Sequence, residues 1–209
     1  MSRPFFAKSL LPISLLCMAV VSNIANAAPS APPAAAICSC CHGGTGLGLA
    51  HIAPMIAGLN EGYFIEQITH FKRGKRTNPT MPTMPMTIPD EKTTKLLAHY
   101  YSQLPVPNIK KTEQRGDAEI IKDPARTLTY QGDWNRNIPA CSTCHAPSGV
   151  GIDHFPRLTG QHADYIKSQL LAWQNGSRTP DAGSVMATIA SKLTATEIDQ
   201  LAHYFSTVK

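Results

Sequence analysis

The sequence predicts a mainly α-helical protein built from two small helical units in tandem, and three observations carry that prediction. The pentapeptide Cys-x-x-Cys-His occurs twice, as CSCCH from Cys38 to His42 and as CSTCH from Cys141 to His145. The flanks recur with it: PMIAG matches PRLTG, and LLAHYYS from Leu96 matches QLAHYFS from Gln200. Between these landmarks each half carries apolar residues at helical spacing, such as Phe64, Ile65, Ile68 and Phe71 in the first. A repeat of about 100 residues is far longer than a solenoid period, so the pattern is domain duplication.

Cys-x-x-Cys-His is the spacing of a c-type haem attachment site. Cys38 and Cys41, and again Cys141 and Cys144, are placed to form thioethers to one porphyrin each, and His42 and His145 then fall beneath the iron as proximal ligands. Zinc is a poorer account, because each motif offers at most three ligands. Two covalent haems are therefore expected, each filling much of the core of a unit too small to bury a large apolar interior of its own.

The 209 residues carry a formal charge of +5. Arg3 and Lys8 precede an apolar run from about Leu10 to Val21 and then Ala25-Asn26-Ala27, the order of a secretory signal peptide cleaved near Ala27. The run is short of a membrane span, and Leu16 before Cys17 does not suit lipidation. Residues 1–27 are thus read as a leader and the mature chain as exported to the periplasm. Without the leader 17 basic and 14 acidic side chains remain, with no dense basic run, which argues against nucleic acid. Peripheral association with a membrane stays open.

The expected units are 28–105 and 123–209, joined by a polar linker over 106–122. In the first, a Pro/Ala-rich stretch leads to Cys38, and Cys40 is a spare thiol read as packing. Pro54, in PMIAG, is placed to offer a backbone carbonyl to the second ring nitrogen of His42. A helix is expected from Glu61 to about Arg73, ended near Gly74, and another from Glu91 to Gln103, capped by Asp90. Between them RTNPTMPTMPMTIP is an extended, proline-broken loop offering Met81, Met84 and Met86 as a thioether ligand opposite His42.

In the second unit Asp123-Pro124 opens a short helix, a longer one runs from Ala163 to Gln174, and Thr194 with Glu197 forms a capping box for the last. Met186 is the only methionine of this half. It lies seven residues before Leu193, and the same interval back from Ile88 reaches Met81, so Met81 is preferred to Met84 as its counterpart. His51 and His154 also coincide in the repeat, as do His99 and His203; these are read as surface histidines rather than ligands.

With those residues in place the chain resembles the di-haem cytochrome c4 family, two class I cytochrome c domains in tandem. The match runs through IPACSTCH, FPRLTGQHADYIKSQLLAWQNGSR and MATIASKL in the second half, and more loosely through CSCCHGGTGLG, PMIAG and YFIEQITHFKRGKR in the first. The resemblance implies His/Met-ligated iron and one-electron transfer with redox partners such as a membrane cytochrome complex, an oxidase or a dehydrogenase. It departs from the class I pattern in one place. Only ten residues, Ala28 to Ile37, precede Cys38 in the mature chain, so the first unit lacks the helix that should cross its last one. That helix must find another partner, in the linker or the second unit.

Three functions compete: a free electron carrier, an electron-accepting subunit of a periplasmic dehydrogenase, and a di-haem peroxidase. A peroxidase needs an open iron, and each half has a methionine where the sixth ligand is expected. The reading is an electron carrier and not an enzyme.

Overall fold

The computed structural model describes residues 29–107, 121–178 and 182–208; the leader and most of the linker lie outside them. Eight α-helices follow in order among the described residues: α1 Ala35–His42, α2 Glu61–Lys72, α3 Glu91–Gln103, α4 Pro124–Tyr130, α5 Cys141–His145, α6 Ala163–Gln174, α7 Val185–Ala190 and α8 Ala195–Thr207. No helix among the described residues is long and apolar enough to cross a membrane.

Local chemistry sets the helix ends. Asp90 accepts the Thr93 amide hydrogen bond at 2.7 Å, Asp123 that of Arg126 at 2.8 Å with Pro124 at the first helical position, and Thr194 and Glu197 form a reciprocal capping box. Each of these satisfies a donor that the first helical turn leaves without an intrahelical partner. The helices α1 and α5, on the Cys-x-x-Cys-His motifs themselves, are additions to what apolar spacing predicts.

Two hydrophobic clusters form the interior. In the first, α2 packs on α3 around Phe64, Ile68, Leu97 and Tyr101. In the second, α6 and α4 both pack on α8 around Leu128, Ile166, Leu201 and Phe205. The first half has no counterpart of α4 among its described residues. Its α3 is covered instead by Ala35 at the start of α1, whose carbonyl faces the Tyr101 hydroxyl, and by Leu104 and Val106. Among the described residues the partners of this helix are therefore Ala35, ahead of the first motif, and the chain that follows the helix, Leu104 and Val106.

The halves meet across α2 and α6 through polar groups. Gln161 accepts the Met55 amide and donates to the Met55 carbonyl, both at 2.9 Å, with Gln161 and Met55 buried. A single β-bridge joins Arg76 to Arg178. Unpaired polar groups would be costly at such a site, and here they are paired across the boundary.

Candidate haem sites

The loop after each motif folds back on it by the same device. Gly48 and Gly151 hold positive φ, 73° and 78°, and their amides bond the His42 and His145 carbonyls at 2.9 Å. A Cβ at Gly48 would meet the Pro54 carbonyl carbon at 2.5 Å, and one at Gly151 the Arg157 nitrogen at 2.6 Å, so a side chain cannot be accommodated at either. This close approach brings the Pro54 carbonyl to 2.7 Å from Nδ1 of His42, and the Pro156 carbonyl to 2.8 Å from Nδ1 of His145. Each carbonyl accepts from Nδ1–H, which leaves Nε2 unprotonated with its lone pair available. Both rings are 6% exposed, and burial lowers their pKa, which keeps the imidazoles in the neutral, metal-binding form.

A cavity of about 570 Å³ runs through both halves. His42 and His145 line it, as do Cys38 and Cys41, and so do Met81, Met84 and Met186. Cys141 and Cys144 are not among its lining residues; the Cys141 thiol turns toward the Leu128 carbonyl at 3.5 Å. Met86 is 64% exposed and stands apart from the cavity.

Met81 and Met186 reach the cavity from different local structures. Met186 sits on α7, whereas Met81 lies in irregular chain, its amide held by the Asn78 side chain at 2.9 Å. Pro82 and Pro85 forbid a helix where α7 forms. Met55 lines the cavity too, as a buried member of the first core cluster; of Met81 and Met84, Met81 packs against that cluster.

Of the histidines outside the motifs, His51 and His154 also line the cavity, while His99 stands on the surface. His51 is 83% exposed and lies 3.3 Å from Asp164, His99 pairs with Glu61 at 2.9 Å, and His154 lies 3.5 Å from Asp153. Cys40 is exposed, its thiol facing the Ala36 carbonyl one turn back.

Between the two halves of the cavity stands a group that reading by motif overlooked. Arg76 donates to Gln67 in its own half at 2.9 Å, and to the Tyr165 hydroxyl at 2.6 Å and Gln169 at 2.8 Å in the other. Arg178 reciprocates, donating to Gln169 at 3.0 Å, to the Tyr63 hydroxyl at 3.2 Å and to Gln67 at 3.0 Å. Arg76 stacks over Phe71 and Arg178 over Trp173, at 4.8 and 4.4 Å from the ring centroids. The repeat held the signal, since Tyr63, Gln67, Phe71 and Arg76 all recur at one spacing as Tyr165, Gln169, Trp173 and Arg178.

Among the described residues no carboxylate lies within ion-pairing distance of either arginine, although Arg76 is only 8% exposed. Burial raises the pKa of the Tyr63 hydroxyl, but the charges of Arg178 and Arg76 outweigh it and bring the pKa below its usual value. Arg76 is buried and Arg178 half-buried, and two such cations sharing only neutral partners fit a ligand that brings its own carboxylates. A haem, with two propionates, is such a ligand.

Duplicated Cys-x-x-Cys-His helices, paired proximal imidazoles and one cavity spanning both halves define a c-type cytochrome carrying two covalently attached haems. The family model described as Cytochrome c matches residues 137–209. The chain is 36% identical to the thiosulfate dehydrogenase electron acceptor of Stutzerimonas stutzeri strain A1501, covering 85% of this chain and 82% of that one. It is 34% identical to cytochrome c4 of Pseudomonas aeruginosa, covering 92% and 95%. Its fold is similar to that of reduced recombinant cytochrome c4 from Pseudomonas stutzeri, with a TM-score of 0.71 at 30% identity over 84% of this chain and 95% of that one. It is also similar to part of the thiosulfate dehydrogenase from Marichromatium purpuratum, with a TM-score of 0.70 at 34% identity over 81% of this chain and 36% of that one. The chain belongs to the cytochrome c4 family, and its function is to carry electrons.

Proposed function

We propose that the chain is an exported, periplasmic carrier that accepts single electrons from a dehydrogenase oxidising a small sulfur compound, thiosulfate being the first to test. The observation that supports this partner is the 36% identity to two thiosulfate dehydrogenase electron acceptors, from Stutzerimonas stutzeri and Thiomonas intermedia, over 82% and 89% of their lengths. The likeness to part of a thiosulfate dehydrogenase structure points the same way. A carrier fed by a membrane cytochrome complex and discharging to an oxidase is the second reading, favoured by the cytochrome c4 relatives.

In this reading residues 28–105 and 123–209 are the haem domains and 106–122 joins them. Cys38, Cys41, Cys141 and Cys144 anchor the two haems, His42 and His145 are the proximal ligands, and Met81 and Met186 are the distal ones. When bound, each haem supplies reversible one-electron chemistry at iron. The Pro54 and Pro156 carbonyls fix the tautomer and tilt of the two imidazoles. Arg76 and Arg178, with the Tyr63 and Tyr165 hydroxyls, hold propionate charge at the boundary between the domains. The reading of the chain as a carrier and not an enzyme is supported by its likeness to cytochrome c4 and to electron acceptors.

The test is to mix the oxidised di-haem protein with a purified thiosulfate dehydrogenase and thiosulfate and to follow the haem α-band. Rapid reduction that needs both dehydrogenase and thiosulfate is the expected outcome. Absence of reduction by that pair, with rapid reduction by a quinol-oxidising membrane complex, would transfer the proposal to the second reading.

A further inference from the structure

The structure assigns a docking face to the first half that its repeat lacks. In the second half, the Arg136 guanidinium fills the space between the segment leading into Cys141 and the chain leading into α8. It donates to Asp133 and Glu197 at 2.6 Å and to the Lys192 carbonyl at 3.1 Å, while Lys192 donates back to the Asn137 carbonyl at 3.0 Å. The repeat sets Pro33 against Arg136 and Thr93 against Glu197, so the first half cannot build that clamp.

In its place lies an apolar groove of about 250 Å³, lined by Pro33, Ala34, Ala36, Ile37, Thr87 and Ile88. Ile37 and Ile88 also line the haem cavity, so the groove and the first haem site share a wall. Ile37 is 37% exposed and nearby Met86 64% exposed.

The charge beside this groove differs between the halves in the same sense. Lys72 donates to the Ile88 carbonyl at 2.8 Å, and Arg73 and Lys75 follow it at the end of α2. Lys92 and Lys95 lie in the first turns of α3. The acidic groups there are Asp90, held by its cap on the Thr93 amide, and Glu91, paired with Lys95 at 2.7 Å. At the corresponding positions the second half has Gln174, Asn175, Ser177 and Thr196, and Gln174 makes the equivalent bond to the Leu193 carbonyl at 2.8 Å.

An apolar centre beside a basic rim, one wall away from a redox centre, is the anatomy of a short-lived interface with an acidic partner. We propose that this groove of the first half docks a redox protein whose own electron-exchanging edge is ringed by Asp and Glu. The basic rim steers the encounter and the apolar centre seats it. One electron crosses per encounter, the partner's cofactor and the haem iron changing by one in opposite senses. The proposal rests on the electron-carrier assignment and is independent of which dehydrogenase or oxidase is the partner.

The probe is flavodoxin, a small acidic flavoprotein, used with the intact di-haem protein. Its oxidised form gives an affinity by calorimetry at low salt, and its anionic hydroquinone gives a one-electron reduction rate by stopped flow. In the fourfold variant Lys72→Gln, Arg73→Asn, Lys75→Ser, Lys92→Thr, which copies the second half, affinity and rate should each fall roughly tenfold and lose most of their salt dependence. Ala36→Glu, an exposed change in the groove itself, should act in the same direction and carries the test should the fourfold variant fold poorly. Reduction of the Ala36→Glu protein by the small cation hexaammineruthenium(II) should not slow. Wild-type affinity and salt slope in both variants would overturn the proposal. So would a change in sedimentation coefficient on Ala36→Glu with flavodoxin binding intact, which would mean that a second copy of the chain covers the groove.

Discussion

The two halves mirror each other in the arginine lattice between them and differ where they face outward. At the boundary Tyr63, Gln67 and Arg76 make with Tyr165, Gln169 and Arg178 the contacts they receive in return. At the far ends the second half has α4 on α8 and the Arg136 clamp, whereas the described residues of the first place Ala35, Leu104 and Val106 over α3 beside a groove. A duplicated cofactor fold keeps its geometry where two charged prosthetic groups must be neutralised in a dry place, since error there costs most. The outer faces are free to become different surfaces.

The sharpest way to break this comparison is through the two methionines proposed as distal ligands, one on a helix and one in a proline-broken loop. Met186→Ala and Met81→Ala should each leave the haem attached and lower one of the two potentials, on the order of 0.1 V within the roughly 0.8 V that axial ligands span. A spectroelectrochemical titration resolves two waves and shows which one moves. Met84→Ala should move neither. A shift of the first-half wave in Met84→Ala, with none in Met81→Ala, would exchange the two assignments.

Next in size is the boundary itself. Arg76→Leu removes three hydrogen bonds and leaves the Tyr165 hydroxyl without that donor, so it should cost about 2–3 kcal/mol, as charged buried hydrogen bonds typically do. Arg178→Leu should cost a similar amount, because its partners are the mirror set. Urea unfolding of the di-haem protein followed by circular dichroism measures both. A loss in one variant and none in the other would show that only one arginine is structurally required.

These two tests fall on opposite sides of what the sequence made legible. That His42, His145, Met81 and Met186 would line one cavity could be read from spacing, because ligands proposed for one cofactor must stand at fixed offsets from the Cys-x-x-Cys-His motifs and from the helices that follow. Asp90, Asp123 and Thr194 could be read because a cap acts on amides two or three residues away. The Pro54 carbonyl was legible for a similar reason, a dozen residues from His42. The arginine lattice was carried in the repeat, where Tyr63, Gln67 and Arg76 recur as Tyr165, Gln169 and Arg178, but it was overlooked because its partners lie 89 to 115 residues apart and no local period signals them. Helix α7 was missed as well: its counterpart is held open by Pro82 and Pro85, and the repeat carried that irregularity over to a stretch free of proline.

The clamp gives the second half a pH signature that the first half's exposed Asp90 and Glu91, also lowered by their partners, do not copy. The Arg136 guanidinium beside Glu197 holds its carboxyl down at about 2, below its ordinary value, with the Thr194 cap helping. A carboxyl lowered on folding contributes stability above the unfolded value of about 4.3 and loses it as pH falls from there through the folded value. Between those limits the unfolding midpoint should therefore drop more steeply for the second half than for the first, whose matching position is Thr93. Glu197→Gln should lower the midpoint by a few degrees at neutral pH and flatten the acid limb. An unchanged acid limb in that variant would mean the clamp adds nothing to folding.

The smallest effect should come from an exposed contact at the boundary that is not reciprocated. Asp164 accepts the His51 amide at 2.7 Å and stands 3.3 Å from its ring, but the repeat places Gly62 where a second aspartate would complete the symmetry. A Cβ at Gly62 would meet His154 at 3.2 Å and the Asp153 carboxylate at 3.3 Å, so an acid there would face another acid. Asp164→Gly makes the halves alike at this position and releases the His51 amide to water, since His51 is largely exposed. Exposed ion pairs contribute about 0–1 kcal/mol, and the loss should lie in that range. Gly62→Asp should not restore it, because it adds repulsion against Asp153 in place of an ion pair. A loss well above 1 kcal/mol for Asp164→Gly, or a gain for Gly62→Asp, would show that this edge holds the halves together as firmly as the buried arginines do.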